Sequence, residues 1–311
     1  MNIQQFQYVL AVVDSKNFNT AAERCFVTQS TLSTMIGKFE KEIGLKIFNR
    51  KTKPVSITNE GEKIIQKLRI INAEIGQLEN LIQELKGEMV GELTIGIIPT
   101  IAPYLLPLFL SKFALSFPKI RIIIKEITTS QIINSLKNRS LDIGILAIPI
   151  EDEELIEHEL FVEPFLVYDC SNEKEFSRHS IHSLDYTKLW LLQEGHCLRT
   201  QVYQICQRSN QTLKPKINFE FESGSIDSLL RFTRLNRGMT IIPYLASLEF
   251  SEKEKEKIKL FDAPTPSRSI GILTHKFFAK KRLVNQLQKI IRASALELIP
   301  NKEKTEIMKP F

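Results

Sequence analysis

The chain has 311 residues, of which 43% are hydrophobic and 25% charged, with a formal net charge of +6. That length fits about two domains with a small extra module. No apolar run reaches the eighteen or so residues of a membrane span, and the opening Met1–Gln7 lacks the basic and apolar regions of a secretory signal. Four cysteines without a signal predict a reducing cytoplasm, where disulfides are transient, catalytic or sensing. Residues 1–58 hold eight Lys and Arg against four Asp and Glu, so most of the excess positive charge sits in this first short stretch.

In chain order, Ile3, Phe6, Val9, Leu10 and Val13 recur at helical spacing. Phe18–Ala22 opens a short second helix, with Asn17 or Asn19 as its cap. Thr28 is a good N-cap for a third, on which Leu32, Ile36, Phe39 and Ile43 share a face. Gln29, Ser30, Thr31, Ser33, Thr34 and Lys38 stay mostly on the other faces. Three short helices with a polar outer face make the helix-turn-helix design. Those polar residues would reach base edges and phosphates of double-stranded DNA. Gly44 ends the third helix, and Leu45–Thr58 reads as a two-stranded wing with Arg50, Lys51 and Lys53 at its tip.

A long helix follows over Asn59–Lys86. Ile64, Leu68, Ile71, Ile75, Leu78, Ile82 and Leu85 alternate in steps of four and three, the seam of a coiled coil. Such a seam predicts a homodimer, which would let two heads read a two-fold operator. Gly87–Gly91 is the expected hinge. From Glu92 onward, short apolar runs alternate with helical ones, which predicts an α/β region with a parallel sheet. A second set of elements begins at Leu160, and the first sheet resumes with Ser269–His275. Chain that leaves and re-enters a sheet gives two lobes around a cleft. The expected boundaries are a winged helix-turn-helix over 1–58, a linker helix and hinge over 59–90, an α/β regulatory domain over 91–300 and a flexible tail over 301–311.

Gln193–Cys206 carries two of the cysteines, Cys197 and Cys206, with His196 and Arg199 flanking the first. A thiol reacts as its thiolate, and nearby positive charge or a helix N-terminus lowers its pKa. If the run is one helix, nine residues separate the two Cα atoms by about 13 Å, whereas a disulfide needs them within about 7 Å. The pair then either never bonds or bonds only after the helix is remodelled. Cys25 and Cys170 read as inert buried thiols. His158, His179, His182 and His275 have no metal-ligand spacing, and no cofactor is expected.

Ala21–Arg24, Gln29–Ser33, the basic wing and Thr58–Gly61 together resemble the LysR-type transcriptional regulators. That resemblance implies a winged head, a dimerising linker helix and a two-lobed regulatory domain like a periplasmic binding protein. Leu93–Pro107, Leu141–Ala147 and Glu194–Arg199 with its second cysteine resemble the hydrogen-peroxide-sensing members of that family. The resemblance implies that Cys197 is the peroxidatic thiol and Cys206 the resolving one. It places Thr100, Thr129, His196 and Arg268 around a peroxide pocket, and implies a homodimer or homotetramer that works with RNA polymerase. Ser30 stands where many members have proline, and Thr200 where relatives often carry an acidic residue. The alternatives are a regulator that answers a small metabolite, with incidental cysteines, and a thiol peroxidase or disulfide oxidoreductase. Against the enzyme stand the absence of a C-x-x-C motif and a head that would have no task.

Overall fold

The computed structural model describes residues 1–86, 89–171, 178–209, 221, 223–300 and 304–311. It divides into two compact units, Met1–Gly87 with Asn138–Ser140, and Glu88–Lys137 with Leu141–Phe311.

In the first unit, α1 (Ile3–Ser15) begins with a capping box between Asn2 and Gln5, which satisfies two otherwise orphaned amides. Asn17 caps α2 (Phe18–Arg24). Thr28 caps α3 (Gln29–Ile43), and Gly44 closes it at φ 72°, the left-handed conformation glycine adopts most easily. The wing is β1 (Phe48–Asn49) against β2 (Ser56–Ile57), followed by α4 (Asn59–Leu85). Val9, Val12, Ala21, Leu32, Ile36 and Phe39 form the core.

The start of α4 is committed to that core, because Ile65 and Leu68 are buried in it and Ile64 packs against it. Burying a Leu or Ile side chain contributes about 1.5–3 kcal/mol, so Leu68 stabilises its own head and is not available to a partner. At the first two positions of the expected seam, Leu68 is thus buried in its own head and Ile64 partly so. Ile71, Leu78, Ile82 and Leu85 remain exposed and Ile75 half-exposed. Part of the expected hinge, residues 87 and 88, lies outside the described residues.

The second unit is built on one long, mixed sheet. Its strands and helices are β3 (Gly91–Ile97), α5 (Ala102–Ser116), β4 (Ile120–Glu126), α6 (Thr129–Lys137), β5 (Ile143–Ile148), β6 (Leu155–Asp169), β7 (Arg178–His179) and α7 (Cys197–Arg208). Then come α8 (Ile226–Leu235), β8 (Met239–Pro243), α9 (Glu252–Lys255), β9 (Ile258–Phe261), β10 (Thr265–His275), α10 (Lys281–Leu296) and β11 (Thr305–Ile307). The order is β4-β3-β5-β10-β6-β9-β7, with β8 on β6 and β11 on β10. The βαβαβ start gives the expected parallel pairs, but β10 runs antiparallel to both β5 and β6.

β6 is the element that makes two lobes. Residues 155–164 pair with β10, whereas residues 165–169 pair with β8 and β9. Each lobe has its own core. Leu93, Ile95, Leu105, Phe109, Ile145 and Leu287 belong to the first, and Phe165, Val167, Tyr186, Val202, Ile241 and Phe261 to the second. Lys188–Gln193 contributes only isolated bridges at Leu189 and Leu192. The apolar run at 217–223 lies outside the described residues, save Phe221 and Ser223.

Of the tail expected to be flexible, residues 301–303 lie outside the described residues and residues 305–308 are ordered. β11 adds a parallel strand to β10 at 265–267, and Met308 is fully buried in the second core. A short strand among lysines and glutamates has no periodicity of its own. Its order comes from long-range pairing.

Candidate functional site

The turn into α7 requires glycine's freedom, since Gly195 sits at φ 90°. His196 is the N-cap residue and Cys197 the first residue of the helix. The helix is continuous from Cys197 to Arg208, so Cys197 and Cys206 are free thiols at opposite ends of it. Each is buried in a different place: Cys197 in the first lobe's core and Cys206 in the second's.

Around Cys197 the residues converge from separate elements. Thr100 lies in the turn between β3 and α5, Thr129 opens α6, and Arg268 comes from β10, all buried. The Arg268 guanidinium donates from Nη1 to Thr100 Oγ1 at 3.0 Å and from Nη2 to the Thr100 carbonyl at 3.2 Å. Its Nε donates to Glu163 Oε1 at 2.7 Å, and Nη2 stands 2.6 Å from the same oxygen. Glu163 Oε2 accepts from the Leu245 amide at 3.1 Å. Both members of the pair are fully buried, so each neutralises a charge that burial alone would forbid. The Thr129 hydroxyl is buried and faces the Cys197 thiol, with no other hydrogen-bond partner among the described residues.

The sequence predicts a depressed thiol pKa at Cys197, but burial decides the sign and pushes it up. Arg268, the Thr129 hydroxyl and the backbone amides at the start of α7 act in the opposite direction, favouring the thiolate without overcoming desolvation. Burial also lowers the His196 pKa, so that imidazole is neutral at pH 7 and supplies no cation. Arg199 turns away, donating to the Leu192 carbonyl at 2.8 Å and lying over the Tyr203 ring. Of the three expected cations, Arg268 alone acts on the thiol.

Two outcomes follow from these shifts. Alkylation of Cys197 is expected to keep accelerating above pH 8.5 or so, the ordinary thiol range; a plateau below that range would contradict it. Cys206 is pushed to about 12 by burial. A thiol kept neutral in the fold contributes stability below its unfolded pKa and loses it as pH rises towards the folded value. Wild-type protein should therefore lose stability above about pH 8.5 more steeply than Cys206→Ala, as read by thermal denaturation against pH.

On the first unit, Gln29, Ser30, Thr31, Thr34 and Lys38 are exposed along α3 and Ser33 is half-buried. Lys53 is exposed at the wing. Arg50 is not a free cation. It donates to Ser33 Oγ at 2.7 Å, stands 3.6 Å from Glu40 and lies over the Phe18 ring at 4.9 Å. Glu40, buried on α3, accepts from the amides of Ile47 and Phe48. A buried carboxylate and an arginine thus lock the wing to the polar helix.

Known proteins agree with this division. Residues 3–62 match the bacterial regulatory helix-turn-helix of the lysR family, and residues 86–295 match the LysR substrate binding domain. The chain belongs to the LysR family. Among its relatives, the hydrogen peroxide-inducible genes activator of Haemophilus influenzae is 32% identical, over 88% of this chain and 90% of that protein. The Escherichia coli DNA-binding transcriptional dual regulator OxyR is 31% identical, over 94% of this chain and 95% of that one. A solved full-length OxyR variant from Pseudomonas aeruginosa superposes with a TM-score of 0.77 at 27% identity, covering 95% of this chain and 99% of that one.

Within this LysR-family chain the sequence reading missed Glu163. Its signal was present, since a single carboxylate inside the apolar run Leu160–Tyr168 has to find a cation once that strand is buried. Among the described residues no group of His, Cys, Asp and Glu could hold a metal ion, and no helix is long and apolar enough to cross a membrane.

Proposed function

We propose that this chain is a DNA-binding transcriptional regulator of the LysR family that senses hydrogen peroxide in the cytoplasm through a reversible Cys197–Cys206 disulfide. The observation that carries this reading is a buried thiol at a helix start, faced by one anchored guanidinium and by a threonine hydroxyl that has no other partner among the described residues. Such a cluster is organised for a guest that both accepts and donates hydrogen bonds. Two of the Arg268 N–H groups are directed at Glu163 and two at Thr100, which leaves one N–H of Nη1 for that guest.

The chemistry balances as follows. The Cys197 thiolate attacks one peroxide oxygen and the O–O bond breaks. The second oxygen leaves as hydroxide and takes up a proton as water, and Cys197 becomes a sulfenic acid. Arg268 and Thr129 stabilise the charge as it passes from sulfur to oxygen. The Cys206 thiolate then attacks the sulfenic sulfur, the S–O bond breaks and a second water forms. Two thiols are oxidised to one disulfide while one peroxide is reduced to two waters. A cytosolic dithiol resets the pair.

The site is read as a sensor and not as an enzyme because a DNA-reading head of the lysR family is joined to it. The exposed remainder of the α4 seam supports a homodimer or homotetramer, with RNA polymerase as a further partner at the promoter. The test is mass spectrometry of purified protein after brief micromolar peroxide. A Cys197–Cys206 disulfide is expected; its absence rejects the reading in favour of a metabolite-responsive regulator.

For the head, Lys53→Ala is expected to lower the slope of log affinity against log salt by about 0.9, one phosphate contact. An unchanged slope would remove Lys53 from the DNA contact. Arg50→Ala should instead loosen the wing and lower the stability of the head.

A further inference from the structure

The last residues of the chain grip the helix that carries both cysteines. β11 pairs with β10 immediately before Arg268, and the Met308 amide donates to the Ser267 carbonyl at 2.8 Å. From that anchorage three residues on one face of α7 are held. Gln201 Nε2 donates to the Met308 carbonyl at 2.9 Å. Gln204 Oε1 accepts from the Lys309 amide at 2.9 Å, and its Nε2 donates to the Lys309 carbonyl at 3.1 Å and towards the Phe311 carbonyl at 3.4 Å. Arg208 pairs with Glu306. Positions 201, 204 and 208 line one side of a helix. The apolar side of the same contact is Met308, fully buried in the core that holds Val202, Ile205 and Cys206.

We infer that residues 305–311 form a clasp, and that Gln201 and Gln204 are positioning residues through which it sets the rate of the disulfide step. The inference rests on the peroxide-sensing reading and deepens it. The two Cα atoms stand about 13 Å apart along an intact helix and must come within about 7 Å. The turns between them therefore unwind before Cys206 can attack, and those are the turns the clasp holds. Gln201 lies between the two cysteines and is only half satisfied, because its buried Oε1 has no hydrogen-bond partner. The grip is thus firm at Gln204 and weak at Gln201, which suits a contact that has to let go. The first step, thiolate attack on peroxide, needs no unwinding and lies outside the clasp's reach. In the second, the Cys206 thiolate displaces oxygen from the sulfenic sulfur, forming S–S, breaking S–O and releasing water.

The two steps separate the prediction from a general loss of structure. Full-length wild type, Gln204→Ala and a chain ending at Lys304 would be mixed with peroxide, quenched and weighed. Sulfenic acid would be followed in each with Cys206→Ser added. Gln204→Ala is expected to leave sulfenic acid formation unchanged and to speed disulfide formation about five- to tenfold, the effect of losing one or two modest hydrogen bonds. The shortened chain should be faster still; if it does not fold, Gln204→Ala carries the test alone. Unchanged or slower disulfide formation in folded Gln204→Ala would overturn the clasp while leaving the sensor intact. A wild type that forms no disulfide at all would overturn both.

Discussion

Protein carrying Cys197→Ser is expected to keep its fold and its affinity for DNA and to lose the whole transcriptional response to peroxide. Serine matches the shape of cysteine, and its hydroxyl can meet the Thr129 hydroxyl that faces this position, which limits the roughly 1–3 kcal/mol that a lone buried hydroxyl would cost. It has no thiolate, so neither sulfenic acid nor disulfide can form. Cys206→Ser separates the steps: peroxide should still reach Cys197 and leave a persistent sulfenic acid, one oxygen heavier, with no second condensation. Peroxide-dependent transcription surviving in Cys197→Ser would assign the signal to another residue.

The second large effect concerns the buried ion pair. Arg268→Met keeps most of the volume and removes the charge, leaving the Glu163 carboxylate buried with only the Leu245 amide. Breaking such a pair from one side costs about 3–5 kcal/mol. For a domain of this size that lowers the melting temperature by roughly 6–20 °C. Adding Glu163→Gln removes the stranded charge, and more than half of the loss should return, a coupling that a double-mutant cycle measures directly. Reactivity should not return with it. Removing a donor aimed at developing negative charge costs about 10²–10³-fold, and both variants should show that deficit in sulfenic acid formation. Recovery of rate along with stability would mean that Arg268 is purely structural.

Much of this was legible in the sequence, and the failures share one cause. The head, the linker helix and the start of the α/β sheet follow from periodicity and caps, which are local. What could not be read was partnership across the chain. Arg50 looks like a free wing cation until Ser33 and Glu40 are placed beside it. Leu68 fits a coiled-coil seam equally well as it fits its own core. Charged neighbours around Cys197 suggest a lowered pKa, yet the sign is set by burial, which a local motif does not report. Arg199 is adjacent in sequence and engaged elsewhere, while Arg268, 71 positions away, does the work. The terminal strand carries no pattern of its own, and only its partner β10 makes it a strand.

The division of the two thiols between two hydrophobic cores bears on how long the oxidised state lasts. A disulfide whose partners already lie side by side is resistant to cellular reductants. The proposed bond would form only if at least one cysteine left the core that shelters it and the turns between them unwound, so the oxidised form would carry that cost for as long as it existed. Each 1.4 kcal/mol raises the reduction potential of the pair by about 30 mV. On the proposed mechanism the signal would be written by a fast oxidant and erased by a standing pool of thiols.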